Sequence, residues 1–376
     1  MFSIRWPSMQ NLSNLQLGEY HLAEQIGQGG MAVVYKAEHP QFGTTAFKVL
    51  PSMLIHVGEL LTRFLNEADA VRILHHPHIV QSYETGAVPH PQLDEEVYFI
   101  ALEYIENGSL LERMIASSLA VEDVIKMGID IGYALEYAHS KGIIHRDIKP
   151  SNILFRNNGQ AVLADFGIAS TAQYIRLTKT GNVTGTIAYM APEIMQEVPA
   201  SPRSDLYSLA LVLYETLTNS RPFGTDTASP QLVQKILQER IPPLQDVIPD
   251  ISPTIAHVIE QALAKQPSQR QTSVGEFVSQ LQHALQRRTP SQFTIPLPEP
   301  SEDLLVDQFT KPQQRKPKAK PIEVNRPNAA ASSTLGIQAS NDLASSPRAK
   351  FTTTLQFVLI AVVTFFLVLG IFFIFQ

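Results

Sequence analysis

The amino-acid sequence predicts an α+β fold in which a small β-rich part precedes a larger helical part, with one C-terminal transmembrane helix after them. Short segments rich in β-branched and aromatic residues dominate the chain from Tyr20 to Glu103. From Ser109 the chain turns mainly helical, and apolar residues recur at helical spacing between Val121 and Ala138. The third observation is a long uncharged apolar run at residues 355–375. Because strand-like segments dominate the first stretch and helical ones the second, an α+β fold is favoured.

Composition excludes several classes of protein. The chain has 376 residues, of which 44% are apolar, so a large buried core is available. Its net charge of −6 argues against a nucleic-acid partner. It contains no cysteine, which rules out disulfides, thiolate zinc sites and cysteine nucleophiles.

The first strands flank a glycine-rich loop. A predicted strand at 20–26 leads into Gly27-Gln28-Gly29-Gly30-Met31-Ala32, and a second β-rich segment follows at 33–38. Glycines let backbone amides approach a phosphate without an intervening Cβ. The loop joins strand to strand, unlike a dinucleotide-binding loop, which leads into a helix. An ordinary hairpin turn is the alternative.

Two charged residues follow on different elements. Lys48 lies in a predicted third strand at 45–50. Glu67 lies within a predicted helix, residues 60–74, whose apolar residues repeat at helical spacing. Taken singly, each residue is most simply a solvated surface charge.

The stretch from His145 to Gly167 concentrates polar side chains. Asn158-Gly159 separates two short apolar runs, and this pattern predicts a tight hairpin. A hairpin brings Asn152, before its first strand, close to Asp165, after its second. Asp147 and Lys149 lie on the same loop as Asn152, and such oxygen ligands suit Mg²⁺ and phosphate. A polar loop followed by a surface hairpin is the alternative.

This stretch, His145-Arg146-Asp147-Ile148-Lys149-Pro150-Ser151-Asn152 with Asp165-Phe166-Gly167, resembles the catalytic and metal-binding loops of eukaryotic-like (Hanks-type) serine/threonine protein kinases. The amino-acid sequence of the glycine loop and the strand after it, from Gly27 to His39, is most similar to that of bacterial members. The resemblance covers residues 20–288. It implies a bilobed protein-kinase fold at 19–288, with a small β-rich N-lobe at 19–103 and a larger helical C-lobe at 104–288. Residues 1–18 are interpreted as a polar leader.

The resemblance implies an ATP site between the lobes. The glycine loop would cover the phosphates, although Ala32 replaces the third glycine of the family pattern. Lys48, paired with Glu67, would position the α- and β-phosphates. Glu103 and Ile105 would form the hinge that binds adenine, with Leu102 as gatekeeper. The implied ATP contacts are Ile26, Gly27, Gln28, Gly29, Gly30, Met31, Ala32, Val34, Ala46, Lys48, Glu103, Ile105 and Leu154.

It also implies the catalytic groups. Asp147 would orient the acceptor hydroxyl and take its proton, and Lys149 would offset charge on the transferred phosphate. Asn152 and Asp165 would hold Mg²⁺, for which Mn²⁺ can substitute. A lysine two residues after the catalytic aspartate is the serine/threonine pattern.

Regulatory and structural residues follow by the same resemblance. Arg146 would pair with a phosphorylated activation loop, where Thr178 and Thr180 are the expected sites; an unregulated polar loop is the alternative. Thr186 belongs to the substrate segment at 185–193. Residues expected to hold the C-lobe together are Glu193 with Arg270, and Asp205, which would steady the catalytic loop. Ser204-Asp205 is predicted to cap a helix at 206–217, and Ser273 with Glu276 to form a capping box.

The expected function is transfer of the ATP γ-phosphate to protein serine or threonine hydroxyls, with autophosphorylation, in signalling at a membrane. Protein substrates and ATP are the expected partners, and a homodimer would allow phosphorylation between neighbours. A membrane-tethered pseudokinase scaffold is the alternative; the presence of Lys48, Asp147 and Asp165 disfavours it. A metabolite kinase is disfavoured by the segment at 185–193.

The C-terminal region is expected to tether the domain. Residues 289–350 are rich in proline, serine and alanine and are predicted to form a disordered juxtamembrane linker. As a helix, residues 355–375 would extend about 31 Å, enough to cross a bilayer. Arg348 and Lys350 precede this span, so the positive-inside rule places the kinase domain in the cytoplasm and the C-terminus at the far side of the cell membrane. A GPI-anchor signal around 344–346 is the alternative, which would require secretion.

This interpretation predicts membrane retention. The full-length chain is expected to stay in the membrane pellet after washing at high salt and high pH, because an apolar helix cannot be released by removing charge contacts. A chain truncated after Lys350 should move to the supernatant. Fractionation followed by immunoblotting measures both, and a full-length chain that stays in solution without detergent would contradict the anchor.

Overall fold

The structure is a computed structural model that describes residues 11–28, 32–51, 55, 60–91, 95–166, 186–224 and 230–286. Its N-terminal part is one antiparallel sheet of six strands in the order β1-β2-β3-β4-β6-β5. The strands are β1 (Gln16–Leu17), β2 (Tyr20–Gln28), β3 (Val33–His39), β4 (Gly43–Leu50), β5 (Ser82–Pro89) and β6 (Glu96–Glu103). Helix α1 (Leu60–Ile73) lies between β4 and β5 in the chain.

The two faces of this sheet differ in character. On one face the rings of Phe47 and Phe99 stack with centroids 4.6 Å apart, and Tyr20 lies 4.7 Å from Phe47. Successive residues of a strand point to opposite faces, so Ala46 and Lys48 lie on the other face of β4 from Phe47. One face is therefore an aromatic core, and the other carries Lys48.

The second half of the predicted leader is part of the N-lobe. Leu17 in β1 pairs with Tyr20 of β2 and is fully buried. Leu12 is buried as well, and its backbone N–H donates to the Tyr35 hydroxyl at 3.3 Å. The sequence did not reveal this because the segment is too short to show a strand period. Residues 1–10 lie outside the described residues.

The C-terminal part is mainly helical. Its helices are α2 (Leu110–Ala116), α3 (Val121–Ser140), α4 (Pro192–Met195), α5 (Pro202–Thr218), α6 (Pro230–Gln238), α7 (Leu244–Val247), α8 (Pro253–Ala262) and α9 (Val274–Gln286). Helix α3 packs against both α5 and α9. A Cβ at Gly132 would overlap the side chain of Val278 on α9, so glycine is what lets these two helices approach. This packing buries most of α3 and α5.

Two predicted helix starts differ in detail. Helix α5 begins at Pro202 with Ser201 as its N-cap, so Ser204 and Asp205 are not the cap but lie in its first turn. The Ser201 N–H donates to the Ser204 hydroxyl at 3.1 Å. Proline is well tolerated at the first helical position, which accounts for the earlier start.

At α9, only half of the predicted capping box is present. The hydroxyl of Ser273 accepts the Glu276 N–H at 3.1 Å, as expected. The Glu276 carboxylate, however, accepts the Thr272 N–H at 2.7 Å, one residue earlier than a capping box requires. The helix is described as far as Gln286.

The predicted hairpin is present. Strands β7 (Ile153–Phe155) and β8 (Ala161–Leu163) pair antiparallel, with Ile153 opposite Leu163. Gly159 has φ +83°, a conformation that favours glycine, so the turn depends on it. Short 3-10 helices precede β7 at Pro150–Asn152 and precede α4 at Thr186–Tyr189.

No helix within the described ranges is long and apolar enough to cross a membrane. The predicted linker at 289–350 and the predicted span at 355–375 lie outside those ranges.

The packing of Leu17 on the sheet can be tested by substitution. We expect Leu17→Ala to lower the free energy of unfolding by about 2–4 kcal/mol, because it removes a fully buried side chain and leaves a cavity. Gln16→Ala, at the exposed neighbouring position, should change it by less than about 0.5 kcal/mol. Denaturant titration of the full-length chain measures both. Equal effects of the two substitutions would show that the segment does not pack on the sheet.

Candidate active site

The predicted Lys48–Glu67 ion pair is present. Nζ of Lys48 on β4 lies 2.5 Å from Oε1 of Glu67 on α1. The two residues are only 7% and 4% exposed. Glu67 is therefore not a solvated helix charge: it points to the sheet and holds the lysine ammonium in place.

The same ammonium contacts Asp165. Its Nζ lies 2.8 Å from Oδ1 of Asp165, whose side chain is 46% exposed. Burial alone lowers the pKa of Lys48, but the charges of Asp165 and Glu67 outweigh it and raise the pKa, so the lysine is charged. Lys48 lowers the pKa of Asp165, which is therefore ionised at neutral pH. Burial raises the pKa of Glu67.

The catalytic-loop side chains form a second cluster. Lys149 Nζ lies 2.8 Å from Oδ2 of Asp147, and the Asn152 amide donates to the same oxygen at 3.2 Å. The Asn152 amide also donates to the Asp147 backbone carbonyl at 2.8 Å. Among the residues described, nothing donates to Asp147 Oδ1, which is shielded from solvent. This carboxylate thus has one occupied oxygen and one available to accept a proton.

The hairpin brings the two clusters together, as predicted. The Ala164 N–H donates to the Asn152 carbonyl at 2.9 Å, which places Asn152 beside the residue that precedes Asp165. Asp165 itself has φ +56°, an unfavourable backbone conformation for a residue other than glycine. The next residue, Phe166, is buried, and its ring lies 4.6 Å from that of His145. This packing helps to hold the strained aspartate.

The Asp205 carboxylate holds the backbone of the catalytic loop in place. Its carboxylate accepts the backbone N–H groups of His145 at 2.8 Å and Arg146 at 2.9 Å. Arg146 has φ +67°, so these bonds hold a second strained residue beside Asp147. The ring of His139 on α3 lies 2.8 Å from the same carboxylate. The Arg146 side chain is exposed.

His145 links the loop to the hairpin in its neutral form. Its Nδ1 accepts the Asp147 N–H at 3.2 Å, and its Nε2 donates to the Ala164 carbonyl at 3.0 Å. Burial lowers the pKa of His145, which agrees with one ring nitrogen acting as an acceptor. The resemblance drew attention to this residue but gave it no role.

Three of the residues expected around adenine, Val34, Ala46 and Leu102, lie on the face of the sheet that carries Lys48. Val34 lies opposite Lys48, and Ala46 lies opposite Leu102, on neighbouring strands. The three apolar residues expected to sandwich adenine and the expected gatekeeper are only partly buried, unlike the core face: Val34, Ala46, Leu154 and Leu102. Such partial exposure fits the floor and roof of a cleft.

The glycine loop is described only at its ends. Gly27 and Gln28 pair with β3, and Ala32 is buried. The loop therefore does run from strand to strand. Gly29, Gly30 and Met31 lie outside the described residues. Ile26 is an exposed residue of β2, and the hinge residues Glu103 and Ile105 are partly buried.

The chemistry of this site fits a magnesium ion. The site brings together three carboxyl groups, those of Glu67, Asp147 and Asp165, and two lysines, Lys48 and Lys149. No group of three or more histidine, cysteine or acidic residues in the described ranges could form a closed metal cage. Mg²⁺ usually takes one or two protein oxygens and completes its shell with water and phosphate. The Asn152 amide oxygen and the Asp165 carboxylate can supply such ligands, and Mn²⁺ takes the same set.

A buried ion pair supports the end of the substrate segment. Arg270 makes two 2.8 Å bonds to the two carboxylate oxygens of Glu193, and the Ser204 hydroxyl donates to Glu193 at 2.8 Å. The predicted Glu193–Arg270 pair is thus confirmed. Burial raises the pKa of Glu193, but the bonds and charge of Arg270 outweigh it, and the pKa lies below its ordinary value.

The three remaining predicted residues lie partly or wholly outside the described residues. Thr186 begins a short 3-10 helix, and its side chain lies outside the described part. Thr178 and Thr180 lie within the gap between 166 and 186.

Sequence reasoning missed two groups: His139, and Arg156, whose guanidinium binds the Glu103 carboxylate. Nothing in the local sequence distinguishes them from ordinary polar residues, because each acts through a partner that is distant in the chain.

A β-rich lobe and a helical lobe, with a lysine between two carboxylates where they meet, define a two-lobed kinase-type domain. Residues 20–286 match the family model described as "Protein kinase domain". The chain therefore belongs to the protein kinase family.

Among curated proteins, the chain is similar to bacterial serine/threonine-protein kinases. It is 37% identical to Pkn1 of Myxococcus xanthus over 280 residues, which cover 73% of this chain and 39% of that protein. It is 34% identical to PknJ of Mycobacterium tuberculosis over 287 residues, covering 75% and 48%. It is 37% identical to PknA of the same species over 265 residues, covering 69% and 60%. The chain thus matches less than two thirds of the length of each of these relatives.

The Glu193–Arg270 pair predicts a pH-dependent contribution to stability. Because the pKa of Glu193 is lowered in the folded state, its stabilisation is complete above the ordinary glutamate pKa of about 4.3 and is lost as the pH falls below it. We expect Glu193→Gln to lower the free energy of unfolding by about 3 kcal/mol at pH 7, with a smaller difference from wild type below about pH 4.

Urea titrations at several pH values measure this difference. Glu197→Gln, at an exposed position on the turn after α4, is the matched control. If both variants show the same pH dependence, the pair does not stabilise the fold through its charge.

Proposed function

We propose that this protein is a serine/threonine protein kinase that transfers the γ-phosphate of ATP to hydroxyl groups of proteins. The observation that carries the proposal is the array of charges at the lobe junction. Lys48 is held between Glu67 and Asp165, and Asp147 is held by Lys149 and Asn152. Phosphoryl transfer depends mainly on positioning and charge stabilisation, and these buried, mutually bonded groups are suited to both.

The N-lobe side of this array serves nucleotide binding. Lys48 is charged and already oriented by Glu67, so it can bind phosphate oxygens without further ordering of its side chain. Val34, Ala46 and Leu154 offer apolar surface for the adenine ring. The backbone of Glu103 and Ile105 offers hydrogen-bonding groups at its edge. Mg²⁺, when bound by Asn152 and Asp165, would neutralise charge on the phosphates.

The C-lobe side serves the chemistry at the acceptor hydroxyl. Asp147 Oδ1 can accept the hydroxyl proton, since Oδ2 is occupied by Lys149 and Asn152. Lys149, 2.8 Å from that carboxylate, brings a positive charge to the place where the phosphate passes. The bonds from Asp205 to the loop keep Asp147 in position during transfer.

Autophosphorylation, dimerisation and membrane tethering are further parts of the proposal. Arg146 is exposed next to Asp147, where a phosphothreonine at Thr178 or Thr180 would meet its guanidinium. An arginine–phosphate pair of this kind can order a loop. Anchoring through residues 355–375 would hold neighbouring copies side by side in the cell membrane and favour phosphorylation between them.

The decisive test compares full-length wild type with Asp147→Asn in detergent, with labelled ATP, Mg²⁺ and a generic protein substrate. We expect wild type to phosphorylate both the substrate and itself, and Asp147→Asn to lose about 10²–10⁴-fold of the rate, because the proton acceptor is removed. Mass spectrometry should find phosphate on Thr178 and Thr180 in wild type alone. Asp123→Asn, at an exposed acidic position on α3, should retain full activity.

The outcomes separate the alternatives. Nucleotide binding by wild type without transfer would support a pseudokinase scaffold. An active enzyme whose Thr178 and Thr180 stay unmodified would remove the proposed activation-loop sites but keep the kinase.

A further inference from the structure

An ion pair away from the charged array joins the hinge to the hairpin. The guanidinium of Arg156 binds the Glu103 carboxylate side-on, with Nε 2.8 Å from Oε1 and Nη2 2.8 Å from Oε2. The two side chains are only 25% and 21% exposed. Two parallel charge-assisted bonds in a partly buried place are stronger and better oriented than an ordinary surface pair.

Arg156 also reaches a third segment of the chain. Its Nη1 donates to the backbone carbonyl of Pro77, which lies between α1 and β5. Glu103 is tied to that segment as well: its N–H donates to the Gln81 carbonyl at 2.8 Å, and its carboxylate accepts the Gln81 N–H at 3.3 Å. We call the Glu103–Arg156 pair together with the Arg156–Pro77 contact the hinge latch.

The hinge latch and the Lys48–Asp165 contact join opposite ends of the hairpin to the N-lobe sheet. Arg156 directly follows β7 and begins the turn of the hairpin, whereas Asp165 lies just beyond the other end of the hairpin. Glu103 ends β6, opposite Thr45 of the strand that carries Lys48. The hairpin that holds the expected magnesium ligands is therefore joined to the N-lobe sheet at both of its ends. Separation of the lobes at the hinge would have to break both bonds of the latch.

We propose that the hinge latch governs nucleotide affinity, and that Arg156 is a positioning residue for the adenine-binding hinge. This rests on the proposed function, since it assumes that nucleotide binds against Glu103 and Ile105. The latch fixes the backbone at Glu103 and limits opening of the cleft from the hinge side. Its loss weakens nucleotide binding and speeds nucleotide release, while transfer from the bound state proceeds as before.

A double-mutant cycle tests the latch in the full-length chain in detergent. Arg156→Met removes the charge and keeps similar length, and Glu103→Gln removes the opposite charge. We expect each to raise the Kd for a fluorescent ATP analogue with Mg²⁺ by about five- to tenfold, with a matching increase in its dissociation rate. The double variant should be no worse than either single one, because the same interaction is lost. For Arg156→Met, which lies outside the proposed nucleotide contacts, the rate at saturating ATP should change by less than about twofold.

Two further variants test whether the side-on geometry of the Glu103–Arg156 pair, and not its charge alone, sets the nucleotide affinity. Arg156→Lys keeps the charge but not the side-on geometry, so its Kd should fall between those of wild type and Arg156→Met. Lys126→Gln, which breaks an exposed pair with Glu122 on α3, should leave the Kd unchanged.

A measurement without nucleotide keeps the two proposals separate. In hydrogen exchange, the amides of Glu103 and Phe155, which bond to Gln81 and Gly108, should exchange faster in Arg156→Met. Unchanged exchange, an unchanged Kd or additive effects of the two substitutions would each overturn the latch. A parallel loss of melting temperature and saturated rate with the Kd intact would also overturn it, since that is a purely structural role. A wild-type chain that binds no nucleotide would instead overturn the proposed function.

Discussion

The catalytic loop depends on one buried carboxylate, that of Asp205. It lies in the first turn of α5, and its oxygens accept the N–H groups of His145 and Arg146. A buried carboxylate without partners would be strongly destabilising, so the loop and the helix stabilise each other. The bond from the Arg146 N–H to Asp205 helps to hold Arg146 in its unfavourable backbone conformation. The position of Asp147, and so of the proposed proton acceptor, follows from packing in the helical core.

The junction of the lobes depends on how burial of the Lys48 ammonium is offset by two neighbouring carboxylates. The Lys48 ammonium is buried, which alone would favour its neutral form, but Glu67 and Asp165 keep it charged. Each carboxylate comes from a different element: α1 supplies Glu67, and the chain after β8 supplies Asp165. The active arrangement therefore requires α1, the sheet and the hairpin to be in place together, and the Glu103–Arg156 bond adds a tie on the hinge side.

Much of the site was accessible from the sequence because its signals are local. The Asn158-Gly159 turn predicted the hairpin, and the hairpin predicted that Asn152 and Asp165 converge. The Lys48–Glu67 and Glu193–Arg270 pairs followed from a family pattern rather than from spacing alone. The helix start at Pro202 was missed, because Ser201 and the Ser204-Asp205 pair are equally plausible caps until the backbone conformation is known.

The sequence by itself determined the order of elements, the family and the identity of the charged residues, since each depends on short-range pattern. Only the tertiary structure decided which of those charged residues contact one another. It showed that Asp165 shares the lysine with Glu67, that His139 joins Asp205, and that Leu17 belongs to the N-lobe core. Such contacts join residues far apart in the chain, and their existence depends on burial and distance, which no local pattern encodes.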